Sequence, residues 1–325
     1  MRDREGRLEA VREEAAARGR VEGAAGPVTG APFPAAASTT GYYGHPLLKA
    51  PVWTWEVPAY FFVGGAAGAA AVIAAVAAAA GADPQIARDA RGIAACGALL
   101  SPLLLVADLG RPSRFLNMLR VFKLRSPMSV GAWALAVFSA AAVISAGLDW
   151  LPVDRVLGPL VAPIAGATSA TAALTGLVLA TYTGVLLGVT AIPVWAAHAR
   201  LLPAHFGASA FGAAVGAIEL AGHRTPTLNL LGISVAAIET AISARLEWSP
   251  QPSGRVLREG AAGAFARLAG VLGGPLPLVL RLAASHTAEV RVVAAVCMVV
   301  GSLLTRLAWT RAGVASAADP RAAGV

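Results

Sequence analysis

Residues 60–80 read YFFVGGAAGAAAVIAAVAAAA, an unbroken run of apolar and small residues without a charge or an amide. At about 1.5 Å rise per residue such a run makes a helix of roughly 30 Å, the thickness of the hydrocarbon core of a bilayer. A strand of a membrane barrel would alternate apolar and polar positions over about ten residues, and this stretch does not. Outward from it the pattern repeats. Apolar blocks at 56–80, 92–109, 129–148, 166–190, 206–222, 227–244, 264–283 and 291–309 are separated by short polar stretches. The seventh block is interrupted by Gly273, Gly274, Pro275 and Pro277. The expected fold is therefore all-α and integral to the membrane, a bundle of eight transmembrane helices over residues 41–325.

Composition agrees. Hydrophobic residues make up 57% of the 325 and charged residues 14%, against about 25% charged in soluble domains; the mean hydropathy is +0.66. Residues 1–40 differ, being rich in Arg, Glu, Gly, Ala and Pro, and are expected to form a disordered polar tail. No apolar core follows the early charges, so the start does not read as a signal peptide. The net charge of +8 is assigned to basic loops beside membrane spans and lipid headgroups, with no nucleic-acid partner expected. From residue 41 onward fourteen Lys and Arg fall on the face shared by the two termini and six on the other. By the positive-inside rule both termini are expected in the cytoplasm, in a bacterial inner membrane.

Trp53, Trp55, Trp133, Trp150, Trp195 and Trp309 sit at or near span ends, as an interfacial aromatic belt predicts. Gly64, Gly65 and Gly68 in the first span, and Gly184 and Gly188 in the fourth, are spaced for close helix packing. Cys96 and Cys297 are too few to ligate an iron–sulfur cluster. The five histidines, His45, His198, His205, His223 and His286, fall in loops or at span ends, which disfavours a haem b protein.

Following the chain across the membrane brings polar residues of four spans to the terminal face. The first span starts there with Glu56 and Tyr60; the second returns to it at Asp108-Leu-Gly-Arg111-Pro-Ser-Arg114. The fourth brings Tyr182, with Trp195 and His198 just beyond, and the sixth brings Glu239. Asp108 alone reads equally as a polar helix end, and Arg111 and Arg114 as headgroup contacts. Gly110 and Pro112 enforce a sharp helix exit, however, and place the two arginines close enough to flank one carboxylate. Glu56 is interfacial or functional. Glu219 lies toward the opposite face, where Arg224 or His223 are available partners.

Acids within hydrocarbon are costly and normally paired or functional. Tyr, Asp and Arg at the end of an apolar bundle suit quinone chemistry, which needs hydrogen bonds to two oxygens and a carboxylate that exchanges protons with water. They suit equally a secondary transporter of a small anionic substrate. The one Gly/Pro break, in the seventh span, has no counterpart in an earlier half, as an inverted repeat would require.

Several stretches in order carry a family resemblance: Trp53-Thr-Trp55 into Tyr60-Phe-Phe-Val-Gly64-Gly65, Asp108-Leu-Gly-Arg111-Pro-Ser-Arg114-Phe115, Ser126-Pro-Met128-Ser-Val-Gly131-Ala-Trp133, Tyr182-Thr-Gly184 and Ile192-Pro193-Val-Trp195. With them the chain resembles the NrfD/PsrC family, the quinone-reactive membrane subunits of complex iron–sulfur molybdoenzymes. The resemblance implies eight helices with no haem or iron–sulfur cluster of their own. It also implies a quinone, expected to be menaquinone, a partner subunit with several [4Fe–4S] clusters docked on the quinone face, and a molybdopterin-type catalytic subunit, in a complex of anaerobic respiration. Carried onto this sequence, it makes Asp108 and Arg114 the charged pair near the quinone and Glu56, Tyr60 and Tyr182 quinone ligands or proton donors. Arg111 and the loop 116–127 become contacts to the iron–sulfur partner, and Glu239 part of a proton route. Some members place a histidine or asparagine in the first or second span; this chain has neither there, which leaves proton exchange to Glu56 or Asp108.

Overall fold

The computed structural model describes residue 48 and residues 50–109, 112–152, 158–249, 252–284 and 286–319. The expected polar tail over 1–40 lies outside them and belongs to a separate unit, 1–44, whereas the described residues belong to the unit 45–325. The described residues are helical, with no strand among them.

Among the described residues ten α-helices follow one another: α1 Glu56–Ala79, α2 Pro84–Asp108, α3 Pro127–Trp150, α4 Val161–Gly188, the short α5 Pro193–Ala197, α6 Leu202–Leu220, α7 Pro226–Glu247, α8 Gly260–Gly273, α9 Pro275–Ala284 and α10 Ala288–Ala318. Three of them open on a polar cap followed by proline. Asp83 accepts from the Gln85 amide, Ser126 from Ser129 and Thr225 from Leu228. Such a pair satisfies one free N–H and presets the first helical φ, so the turns at Asp83-Pro84, Ser126-Pro127 and Thr225-Pro226 are written into the sequence.

Seven segments are long and apolar enough to cross a membrane; α8 and α9 together form one of them, over Gly260–Ala284. The remaining expected span, α6, is 19 residues long but mixes Gly, Ala and Ser with His205 and Glu219. Its position explains that composition. It packs against α1, α4, α7 and α10, and most of it is buried by protein, so it has little need of lipophilic side chains. The seventh span is broken at Gly274, as its Gly/Pro run predicted. A Cβ on Gly274 would sit 2.9 Å from the Thr240 amide, and one on Gly301 2.5 Å from the Gly273 amide. The break is thus pressed directly onto α7 and α10.

α1 packs on α2 and α4, and α3 on α4, which makes a first half-bundle; α7, α8, α9 and α10 make a second, with α6 between them. The glycines expected at contacts are there. A Cβ on Gly68 would lie 2.3 Å from the Gly176 carbonyl oxygen, and one on Gly184 2.5 Å from the Leu202 carbonyl. The tryptophans divide. Trp55 and Trp150 are exposed, as a belt requires. Trp195 and Trp309 are buried: Trp195 stacks on Trp53 with ring centroids 5.3 Å apart, and its Nε1–H donates to the Trp309 carbonyl at 2.8 Å. They wedge the α5 turn against α10 instead of marking an interface.

Candidate functional site

The alternation of spans brings the start of α1, the end of α2, the start of α3 and the end of α4 to one face. Asp108, the last residue of α2, is half-buried, and its Oδ1 accepts from Thr54 Oγ1 at 2.8 Å. The segment before α1 therefore ties down the acid at the end of α2. Arg111 lies outside the described residues. Arg114 falls in a 3-10 helix, Pro112–Leu119, directly after Asp108.

One turn deeper, Tyr60 and Tyr182 are both buried and lie within electrostatic range of each other. The seat of Tyr182 is specific. A Cβ on Gly131 would fall 2.0 Å from Tyr182 Cζ and 2.4 Å from its hydroxyl, so the phenol occupies the space that a side chain at 131 would fill. The Ser126–Trp133 stretch and the tyrosine of α4 are two halves of one contact. The Tyr60 ring lies against Gly64, whose notional Cβ is 3.3 Å from both Tyr60 Cε2 and Ser101 Oγ.

In the same half-bundle each of the four helices contributes one buried polar atom without a hydrogen-bond partner among the described residues. They are Glu56 Oε2 on α1, Ser101 Oγ on α2, Trp133 Nε1 on α3 and Thr183 Oγ1 on α4. All four lie within about 11 Å of that end of their helices, counting along the axis. Buried polar atoms are normally paired, and four unpaired ones in the first three turns from one face are suited to a polar ligand among apolar walls. Two donors, a phenol pair and carboxylates at the wet end also form a set able to hold and protonate two oxygens of a ring.

Glu239 stands apart from this layer. It is buried beside His205 of α6, with Nε2 to Oε2 at 3.7 Å, and faces the charge of Arg306 on α10. Arg306 is itself fully buried. Its Nη2 donates to the Phe206 carbonyl at 2.8 Å, and its guanidinium lies 4.4 Å from the Phe206 ring centroid. A Cβ on Gly65 would meet it at 3.4 Å, so this arginine reaches from the second half toward α1.

Neither His205 nor Arg306 was singled out as functional from the sequence. The signal was present for Arg306, a charge inside an apolar block. His205, three residues into α6, read as loop-like. Between the helices, the α5 turn buries His198, whose Nδ1–H donates to the Val194 carbonyl at 2.8 Å. Burial pushes its imidazole below the usual range, against the raising effect of that hydrogen bond.

At the opposite face the expectation for Glu219 is corrected. Its partners are neither Arg224 nor His223 but Arg281 of α9 and Arg291 of α10. Arg281 makes a two-pronged contact at 2.9 and 2.6 Å; Arg291 adds a hydrogen bond to Glu219 Oε1 and another to the Arg224 carbonyl at 2.6 Å. His223 instead pairs with Asp89 at 2.7 Å. Arg281, Arg291 and Arg306, counted above among the face charges, are buried in the bundle. Among the described residues no group of three or more His, Cys, Asp or Glu is placed to hold a metal ion.

Residues 46–315 match the family model described as polysulphide reductase, NrfD. No curated protein matches the chain.

Proposed function

The chain belongs to the polysulphide reductase NrfD family, and from that premise we propose that it is a quinone-reactive electron-transfer subunit. It exchanges electrons between a quinone, menaquinone by expectation, and a partner subunit carrying [4Fe–4S] clusters, with a molybdopterin-type subunit completing the path. The observation that supports this reading is the set of four unpartnered buried polar atoms, one from each of α1 to α4, on the helices that also carry the buried Tyr60 and Tyr182.

Reduction of a quinone takes two electrons and two protons. The phenols of Tyr60 and Tyr182 donate hydrogen bonds to the ring oxygens. Glu56 and Asp108, at the wet ends of α1 and α2, exchange the two protons with water, and Arg114, six residues after Asp108, is their proposed cationic partner. Electrons pass to or from the partner on the same face. The loop there carries Arg120, Lys123 and Arg125 among exposed Leu116, Phe122 and Leu124, a basic and apolar surface suited to a protein partner.

The first test is affinity purification of the tagged chain in mild detergent, with iron and molybdenum analysis and extraction of bound quinone. Co-purification of an iron–sulfur protein together with quinone is expected. A chain that emerges alone, without iron or quinone, sinks the reading in favour of a transporter. In the assembled complex, Asp108→Asn keeps the acceptor for Thr54 but removes the titrating charge. Its quinone-linked turnover is expected to fall about 10²-fold with assembly intact, and unchanged turnover refutes the role of Asp108.

A further inference from the structure

A cavity of about 450 Å³ lies in the other half-bundle between α7, α8 and α10. Its mouth passes Glu247, Trp248 and Val271, of which Trp248 is 80% exposed. Its inner end is walled by Ala308, Trp309, Thr305 and His205, all buried. Ala244, Leu246, Leu257, Ala266 and Ala269 supply an apolar wall.

Two features say what fits. Neither ring nitrogen of His205 has a hydrogen-bond partner among the described residues, although the residue is only 5% exposed. The Trp309 ring stands 6.0 Å from the His205 ring at 85°, an aromatic wall beside the polar group. The volume lies within the roughly 300–1,000 Å³ range of small-molecule sites. A lipid acyl chain alone would leave the imidazole unsatisfied, and a phosphate headgroup would remain at the mouth.

We infer that this cavity is a second quinone site, in which His205 hydrogen-bonds a ring oxygen, Trp309 packs against the ring and the isoprenoid tail leaves past Val271. A neutral imidazole carries one donor and one acceptor, so it serves a quinone carbonyl and a quinol hydroxyl equally. Glu239 Oε2 lies 3.7 Å from His205 Nε2. The site rests on the quinone reading above only for the class of ligand; its walls share no residue with the Tyr60 and Tyr182 site.

The test is photolabelling of the full chain with its co-purifying subunits in lipid nanodiscs, using a short-tailed azido-naphthoquinone and peptide mass spectrometry. Label is expected on peptides from 240–248, 266–271 or 305–309, as well as on first-half peptides. Ala244→Phe and Ala266→Phe, which fill the cavity from two helices, and His205→Leu are each expected to cut second-half label at least fivefold and leave first-half label unchanged. Label confined to the first half overturns this inference and leaves the proposed function standing; label confined to the second half supports it and sinks the assignment at Tyr60 and Tyr182. Second-half label that survives all three substitutions, or that excess phosphatidylglycerol displaces and unlabelled naphthoquinone does not, overturns it. Absence of label from both halves overturns both.

Discussion

Gly68→Ala adds one methyl group where α1 crosses α4. The new Cβ would lie 2.3 Å from the Gly176 carbonyl oxygen, while ordinary contact begins at 3.4 Å, so the helices must part by 3.4 − 2.3 = 1.1 Å. Neither side of this contact has a flexible end that could yield, because backbone meets backbone. Overpacking of this kind costs about 1–3 kcal/mol.

The displacement also reaches the site. Tyr60 lies about 12 Å up α1 from Gly68, and Tyr182 about 9 Å along α4 from Gly176. A shift of about 1 Å between groups that must hold one ligand costs on the order of 10²-fold in rate. Quinone-linked turnover of the assembled complex in nanodiscs is therefore expected to fall on the order of 10²-fold, with a lower thermal midpoint. Gly166→Ala is the control: it makes the same change on α4, and its Cβ would meet nothing within 4 Å. Turnover of Gly68→Ala within twofold of the parent, at an unchanged midpoint, refutes the claim that this crossing sets the spacing of the two tyrosines.

Glu219→Gln leaves two guanidinium groups facing a neutral amide. Breaking a buried pair in this way is expected to cost about 3–5 kcal/mol, read as a lower thermal midpoint that Arg291→Met partly restores; an unchanged midpoint refutes the bracing role. Replacing Arg120, Lys123 and Arg125 together by serine is expected to weaken retention of the iron–sulfur partner, more so as salt rises. Full co-purification at moderate salt counts against that docking surface.

The fold was legible because one pattern is strong. Apolar blocks of membrane length gave the spans, but not all of their starts: the second block was expected from 92, whereas its helix begins at Pro84 behind the Asp83 cap, because the first turns of that helix are polar. α6 is the element whose hydropathy is weakest, since its solvent is protein. The first-half layer was legible in part. Parity of spans brings Glu56, Tyr60, Asp108 and Tyr182 to one face, but it carries no lateral information. Nothing in the sequence says that Gly131 makes room for the Tyr182 phenol, or that Glu239 faces His205 and Arg306 instead of Asp108. Arginine misled for a related reason. Arg281, Arg291 and Arg306 sit near span ends or inside an apolar block. Charge counting assigns such residues to loops, whereas pairing across 62 and 72 residues buries Arg281 and Arg291 against Glu219.

That pairing also bears on how the protein is made. α6, α9 and α10 each bring a charge into an apolar segment, and a charge at a helix centre costs about 2.5–3.5 kcal/mol on insertion scales. Glu219 meets Arg291 only after 72 further residues have been synthesised, on the order of 4–14 s at about 5–20 residues per second. Until Arg281 has been made, 62 residues after Glu219, α6 holds an unmatched acid. The second half of the bundle therefore settles into lipid as a cooperative unit, closed by its last helix. Ribosome-bound chains truncated before residue 281 would leave Glu219 without either arginine, and a cysteine placed on α6 in them within reach of a water-soluble thiol probe.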